Sequence, residues 1–437
     1  MTSRAVVFGA GMAGLLAARV LTERYDQVTL VERDVLSGGP RKGVPQGRHP
    51  HQLFTRGQQL LADLFPGIIE ELITAGAVPF QPSLQGHLVI EDQPWHRVPM
   101  PHDNLAASRP LLEDQLRRRV LDLPGVRLLD GTDAVAPVIS NGRVIAARVG
   151  RDQRLSADLV VDALGRAGRA TTWLADNGYR PPRTDKLALS VVYASCHFRL
   201  PADPFAGDEM VLIAPTSARP CGLVLARIDR DEWILTLASY GAAPPTDLGE
   251  FLDYAERLAP EHMQVVRTAQ RVGQIRRHRF PHTVRRRYEC LRTLPRGMIA
   301  IGDAVCVSNP LYAQGMTTAA LHAHALRRCL RADAGTECLE RRYFAAAAQT
   351  CNTRWKLQTT NDLIFLPGRQ TPLTYATTTY LRRLATAAAQ HPECATAYLR
   401  VLHAIDHPYA LLKPALLRRA LFPGPSRPTA SHVRSPA

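Results

Sequence analysis

The stretch that most constrains this chain lies at its beginning. Ala5-Val6-Val7-Phe8 is a run of four apolar residues, the length of a buried strand, and Gly9-Ala10-Gly11-Met12-Ala13-Gly14 follows at once. Three glycines at this spacing answer three steric demands: a tight turn, close approach of a pyrophosphate to the backbone, and contact between helix and strand. Residues 15–24 continue with helical spacing, and residues 28–31 form a second apolar strand ending in Glu32. A carboxylate eighteen residues after Gly14 stands where ribose hydroxyls are bound, and it repels a 2′-phosphate. The spacing predicts a βαβ unit that holds FAD or NAD, with Gly9, Gly11, Gly14 and Glu32 in the site.

FAD is favoured over NAD by residues far downstream. Gly297-Met298-Ile299-Ala300-Ile301-Gly302-Asp303-Ala304 reads as a short buried strand whose end presents Asp303, placed for a ribityl hydroxyl. Asn309-Pro310-Leu311-Tyr312-Ala313-Gln314-Gly315-Met316 then leads into a helix over 315–331, with Met316, Ala320, Ala323, Leu326 and Leu330 on one stripe. The free N–H groups at that helix start would stabilise negative charge on a reduced flavin.

Elsewhere, residues 36–48 are rich in Gly, Pro and basic side chains and break regular structure. Helical spacing covers 52–64 and 109–121, a short strand pair is expected at 126–129 and 144–149, and residues 157–166 read as a buried strand running into a turn. From 187 to 280 the period shifts toward two, with strands at 190–200, 211–214, 222–228 and 232–240 and hence a separate antiparallel sheet. The last hundred residues are mainly helical. The expected fold is α/β: a discontinuous Rossmann-type FAD-binding domain (1–75, 105–180 and 285–345), an inserted antiparallel-sheet substrate domain (76–104 and 181–284), a C-terminal helical region (346–422) and a disordered tail (423–437).

With 437 residues, 46% hydrophobic and 21% charged, the composition excludes a disordered chain. The net charge of +15 favours acidic ligands in general and names none. Seven arginines lie between 271 and 287, read as the solvated face of strands, and no nucleic-acid motif accompanies them. None of the eight cysteines forms a Cys-x-x-Cys pair, so neither a disulfide scaffold nor a metal site is expected. His322 and His324, two apart on a helix, point to different faces. His49 and His51, beside the basic loop, are candidates for a hydrogen bond to flavin or substrate. No apolar run reaches the eighteen or so residues that span a bilayer, and a cytoplasmic protein is expected. The apolar and basic segment 411–422, interrupted by Pro414, is expected to close the cavity, with at most a peripheral membrane contact.

Together the three FAD-type segments resemble the flavoprotein monooxygenases of the p-hydroxybenzoate hydroxylase fold. The stretch GDAxxxxxPLxxxGMTxA is similar to squalene epoxidase, and RKGVPQGRHPHQL at 41–53 with Asp162-Ala163-Leu164-Gly165-Arg166 resembles bacterial flavin epoxidases acting on polyene precursors of polyethers. The resemblance implies that Arg33, Arg48 and Arg109 bind the cofactor, and that Asp303, Pro310, Gly315 and Met316 hold its ribityl chain and ring. Aromatic hydroxylases of this fold carry Asp-Gly after the middle strand, where this chain has Leu164-Gly165. The Trp-x-Trp-x-Ile-Pro signature of flavin halogenases is missing, with Trp95-His96-Arg97-Val98-Pro99 a partial echo.

The implied activity is a FAD-dependent monooxygenase that inserts one oxygen atom of O2 by way of a flavin C4a-hydroperoxide, epoxidising an alkene of a lipophilic terpenoid or polyketide. Aromatic hydroxylation and a geranylgeranyl-reductase-like saturation are the alternatives on the same cofactor site. Flavin carries the chemistry, so no catalytic side chain is nominated. Tyr193, Phe198, Leu223, Leu225, Trp233 and Tyr312 are the expected substrate wall. Electrons come from NAD(P)H, directly or through a flavin or ferredoxin-type reductase, since the chain has one dinucleotide fingerprint.

Overall fold

A computed structural model describes residues 2–36, 41, 45–229, 231–332, 338–366 and 368–422. Part of the basic loop and the whole expected tail at 423–437 lie outside the described residues.

The βαβ start forms as its glycine spacing predicts. Strands Arg4–Phe8 and Gln27–Val31 pair in parallel across the helix Met12–Leu21. They occupy the middle of a five-stranded parallel sheet ordered Met298–Ala300, Leu159–Asp162, Arg4–Phe8, Gln27–Val31, Val126–Leu129. In the three inner strands residues 5–8, 28–31 and 159–162 are buried and, Thr29 and Asp162 apart, apolar, as a sheet covered on both faces requires, while the edge strand Val126–Leu129 is only partly covered. Helix Gly315–Arg331 packs on Met12–Leu21 and is covered in turn by helix Leu339–Asp362.

An eight-stranded sheet lies beside it, in the order Cys306–Val307, Gln270–Arg286, Thr184–Arg199, Glu232–Tyr240, Cys221–Arg227, Met210–Ile213, Gly86–Ile90, Gln93–Pro94. All neighbours are antiparallel except Met210–Ile213 with Gly86–Ile90. Residues of odd number on its central strands, such as Val211, Leu223, Leu225, Trp233 and Leu235, are sealed by helices Leu248–Glu256 and Pro260–Thr268. Sequence reading did not find these two helices, because a period of two was carried across the whole of 187–280. Asp247 caps the first, accepting from the Glu250 N–H, and Pro260 opens the second.

Three further details differ from the expectations. The strand Val126–Leu129 joins the parallel sheet, while Arg143–Val149 pairs with Ala134–Ser140 and Gln153–Ser156 in a separate three-stranded sheet. The helix expected from residue 52 begins at Thr55, because Leu53 bridges to Leu105. Pro414 opens the helix Pro414–Leu421 where sequence reading had it interrupt one: a missing N–H costs nothing in a first turn. The C-terminal layer of Pro372–Ala388, Pro392–Leu402 and Pro414–Leu421 packs over the other face of the eight-stranded sheet, where Leu384, Leu399 and Leu416 share one apolar cluster with Leu88 and Met210.

Candidate functional site

A cavity of about 900 Å³ runs from the C-terminal ends of the parallel strands to the space beneath the C-terminal helices. At its first end the strand Arg4–Phe8 breaks at Gly9, whose φ of +101° is left-handed and whose added Cβ would lie 2.5 Å from the Ala163 carbonyl oxygen. Gly14 is pressed the same way, its virtual Cβ 1.9 Å from the Gly9 oxygen. Gly9 and Gly11 line the cavity, and Gly14 lies behind them holding helix to strand.

Charged groups gather over this turn. Glu32 Oε2 accepts from the Ala10 N–H and from Arg41, both at 3.0 Å, and Oε1 accepts from the Asp34 N–H at 3.1 Å. Arg41 reaches on to Glu113 at 2.6 Å, and Arg109 meets the other oxygen of Glu113 at 2.7 Å. Burial opposes ionisation of Glu113, but the Arg109 and Arg41 guanidinium groups outweigh it and hold the carboxyl below its usual range. Both guanidinium groups therefore stay at the cavity wall, and Arg41 comes within 3.4 Å of the space above Gly11 where a pyrophosphate would approach.

The strand Met298–Ala300 delivers Asp303 to the same wall. Arg286 donates to the carbonyl oxygens of Asp303 and Ala304 at 3.1 Å and pins the turn, while the Asp303 carboxylate has no hydrogen-bond partner among the described residues. Burial pushes its pKa up, against the pull of Arg109 and Arg166, so hydroxyl donors would stabilise it. Gln314 precedes the helix Gly315–Arg331 without a side-chain cap, and the Gly315 and Met316 N–H groups have no acceptor among the described residues. Buried Gln314 Oε1 and Thr317 Oγ1 nearby also lack partners. A left-handed glycine turn, a lone carboxylate and an open helix start fit the phosphates, ribityl hydroxyls and ring edge of FAD.

Midway along the cavity stands a neutral polar chain: His49 Nδ1 to Ser195 Oγ at 2.7 Å, and Ser195 Oγ to Thr236 Oγ1 at 2.6 Å. Burial, helped by His278 and His51, lowers the His49 pKa to about 3, so its ring is uncharged at neutral pH. Tyr193 meets His49 edge-on, 4.5 Å between centroids. Farther on, Asp362 Oδ1 accepts from Tyr240 and Asn309 at 2.8 Å and from Tyr312 at 3.1 Å, while Oδ2 is buried without a partner. Burial raises this carboxyl to about 6. Because Asn309 and Tyr312 flank Pro310, this cluster fixes the loop leading to Gly315.

The last lobe is apolar: Phe80, Leu88, Met210, Leu212, Val224 and Leu399 line it, with an Arg382–Glu91 ion pair of 2.8 Å at its edge.

Of the residues nominated from sequence, Gly9, Gly11, Glu32, Arg33, Arg109, Asp303, Pro310, Gly315, Met316, Tyr193, Leu223 and Tyr312 line this cavity. Arg48 does not. It is exposed on the short turn Pro45–Arg48, and Arg41 from the same loop reaches the site instead. Leu225, Trp233 and Phe198 also lie away from it, on the odd or even positions that each strand turns toward the two unforeseen helices. Leu223 packs chiefly with them. The cavity wall is made by the alternate residues Val224, Ala226, Thr236, Ala238 and Tyr240. Asp162, two residues before Leu164-Gly165, is wholly buried and accepts from the Leu164 and Ala170 N–H groups, so it ties the turn. Among the seven arginines at 271–287, Arg271, Arg276, Arg277 and Arg279 are exposed as expected, but Arg285 is buried on Glu289 and Asn352 and Arg287 pairs with Asp185.

Solved structures with this architecture define the class. The flavin-dependent brominase Bmp2 superposes with a TM-score of 0.68 at 15% identity, covering 96% of this chain and 98% of its own. PqsL of Pseudomonas aeruginosa, described as a probable FAD-dependent monooxygenase, superposes at 0.63 with 16% identity over 90% of this chain and 98% of its own. The chain thus has the fold shared by flavin-dependent monooxygenases and halogenases. No family model matches the sequence. Protein Rv3254 of Mycobacterium tuberculosis is 33% identical over 446 residues, 95% of this chain and 93% of its own length, and the chain belongs to the family of that protein.

Proposed function

We propose that this protein is a FAD-dependent monooxygenase that transfers one oxygen atom of O2 to a lipophilic substrate, epoxidising a carbon–carbon double bond of a terpenoid or polyketide. The observation that carries the reading is the change of polarity along one continuous cavity, from the glycine turn, Asp303 and Gly315 to a lobe walled by Phe80, Leu88, Met210 and Leu399. Gly9, Gly11, Arg41 and Arg109 would hold the phosphates of FAD, Glu32 the adenosine ribose, Asp303 the ribityl chain, and Pro310, Gly315 and Met316 the ring. FAD, when bound, supplies the activated oxygen. The chain's own residues exclude water from the apolar lobe and present one face of the alkene.

Epoxidation is favoured over aromatic hydroxylation by the state of the titratable groups. Attack on a phenol gains from a base that ionises its hydroxyl, and epoxidation needs none. His49 is too weak a base at neutral pH, and Asp362 is wholly buried with three donors already on its Oδ1. Halogenation is disfavoured by the absent tryptophan signature. Trp95 itself is buried edge-on against Tyr398, 5.1 Å between centroids, beneath the C-terminal layer. NAD(P)H, directly or through a reductase, is the proposed electron source, and the cytoplasm the proposed location.

The test is turnover under ¹⁸O₂ with a panel of polyenes and phenols. One labelled atom in an epoxide supports the proposal, a labelled ring hydroxyl replaces it with hydroxylation, and saturation of the alkene without oxygen replaces it with reduction.

A further inference from the structure

Of the nine large apolar side chains exposed among the described residues, six belong to the C-terminal layer: Leu373, Tyr375, Tyr409, Leu412, Leu421 and Phe422. The last four cluster in one short stretch. Tyr409 is 70% exposed, Leu412 52% and Phe422 75%. Tyr409 and Leu412 are three apart on the tight turn Pro408–Leu412, so they stand above one another. On the helix that follows, Ala415, Arg418 and Phe422 continue the outward row at spacings of three and four, while Leu416 and Ala420 face inward and are buried. Apart from Arg418 the outward row is therefore apolar, a distribution a solvated helix does not need.

Its charge is one-sided. Lys413 and Arg418 stand in or beside the row and are exposed, with no ion pair within 4.0 Å among the described residues, Lys413 feeling only the more distant charge of Asp406. Both acidic residues between 363 and 422 are already engaged, Glu393 with Arg419 at 3.3 Å and Asp406 with Arg400 at 2.8 Å. The layer is also the roof of the apolar lobe. Leu381, Arg382 and Ala385 of the helix Pro372–Ala388 line the cavity, and Arg382 is half-exposed, so the lobe reaches the surface on the helix that holds this turn through a Tyr380 hydroxyl bond to the Leu411 carbonyl.

We propose that segment 409–422 seats the protein peripherally on an anionic lipid surface, with Tyr409, Leu412, Leu421 and Phe422 entering the headgroup boundary and Lys413 and Arg418 meeting the lipid phosphates. This goes beyond the enzymatic reading and does not depend on it. An apolar row flanked by exposed cations suits a negatively charged interface, where buried apolar area and charge attraction add. A second copy of the chain would instead bring the same cations face to face.

The test is co-sedimentation of the flavin-loaded protein with sucrose-filled vesicles. It should pellet with phosphatidylglycerol–phosphatidylcholine vesicles and stay in solution with phosphatidylcholine alone. The double variants Leu412→Ser/Phe422→Ser and Lys413→Glu/Arg418→Glu should each lower the bound fraction about tenfold, with the flavin spectrum unchanged. The proposal is overturned by equal sedimentation with both lipids, by variants that bind like the parent, or by a vesicle-free dimer that the serine variant abolishes. Flavin content reads the cofactor site separately, so failure here leaves the reading of that site intact.

Discussion

The two ends of the cavity are built differently. At the glycine end the backbone sets the shape: a left-handed turn at Gly9, the close approach at Gly14 and the open start of helix Gly315–Arg331. At the apolar end the wall comes from the even-numbered side chains of a sheet and from helices more than a hundred residues downstream. A backbone-built end tolerates little change, because a Cβ placed 2 Å from a carbonyl oxygen cannot relax away. A side-chain-built end can be reshaped one residue at a time.

The sharpest way to break this contrast is Gly14→Val. Its side chain would collide with the Gly9 oxygen, so flavin retention should be lost along with most soluble protein, read from yield and visible absorbance. Asp303→Ala removes the lone carboxylate and leaves the fold. FAD affinity should fall about tenfold to a hundredfold, the loss of a charged hydrogen bond of about 1.5–3 kcal/mol, measured by flavin titration. Unchanged affinity would mean the ribityl chain lies elsewhere.

At the apolar end the two faces of one strand should separate stability from turnover. Leu225→Ala leaves a gap under the two small helices and should cost about 2–4 kcal/mol of stability with flavin content retained. Val224→Phe points into the cavity and should leave the melting temperature nearly unchanged while lowering turnover of bulky substrates. If both variants lost turnover equally, the assignment of faces would be wrong.

A further difference concerns pH. Burial lowers His403 to about 4 and His49 to about 3, so both stay neutral in the folded state below the pH at which the unfolded chain takes up protons. Their contribution is full above about pH 6.5 and is lost as pH falls toward 4. Asp362, raised to about 6, has the opposite sign and partly offsets them. His403→Gln should flatten the fall of stability between pH 6.5 and 4 by about one proton's worth, followed by denaturation at a series of pH values.

The same contrast explains what could be read in the sequence. Gly9 and Gly14 were legible because each is demanded by backbone geometry that leaves its mark in residue type and spacing, and Glu32 and Asp303 because each follows the end of a strand of the parallel sheet. The parallel sheet and the long helix Gly315–Arg331 followed from the same logic. The substrate wall was not legible: alternation gives two faces, and nothing in Leu223, Leu225 or Trp233 says which face a neighbour covers. Finding the capped helix behind Asp247 and the Pro260 start would have sent those residues to the other side. Arg41 was missed for Arg48 because both sit in one basic loop, and only Glu32 and Glu113 in three dimensions choose between them.

Titration of flavin-free protein with FAD, followed by fluorescence quenching, reads out whether the glycine end is a flavin site: quenching should saturate at one FAD per chain, with affinity lost in Gly11→Val. A colourless protein that leaves FAD fluorescence unchanged at every concentration would contradict it.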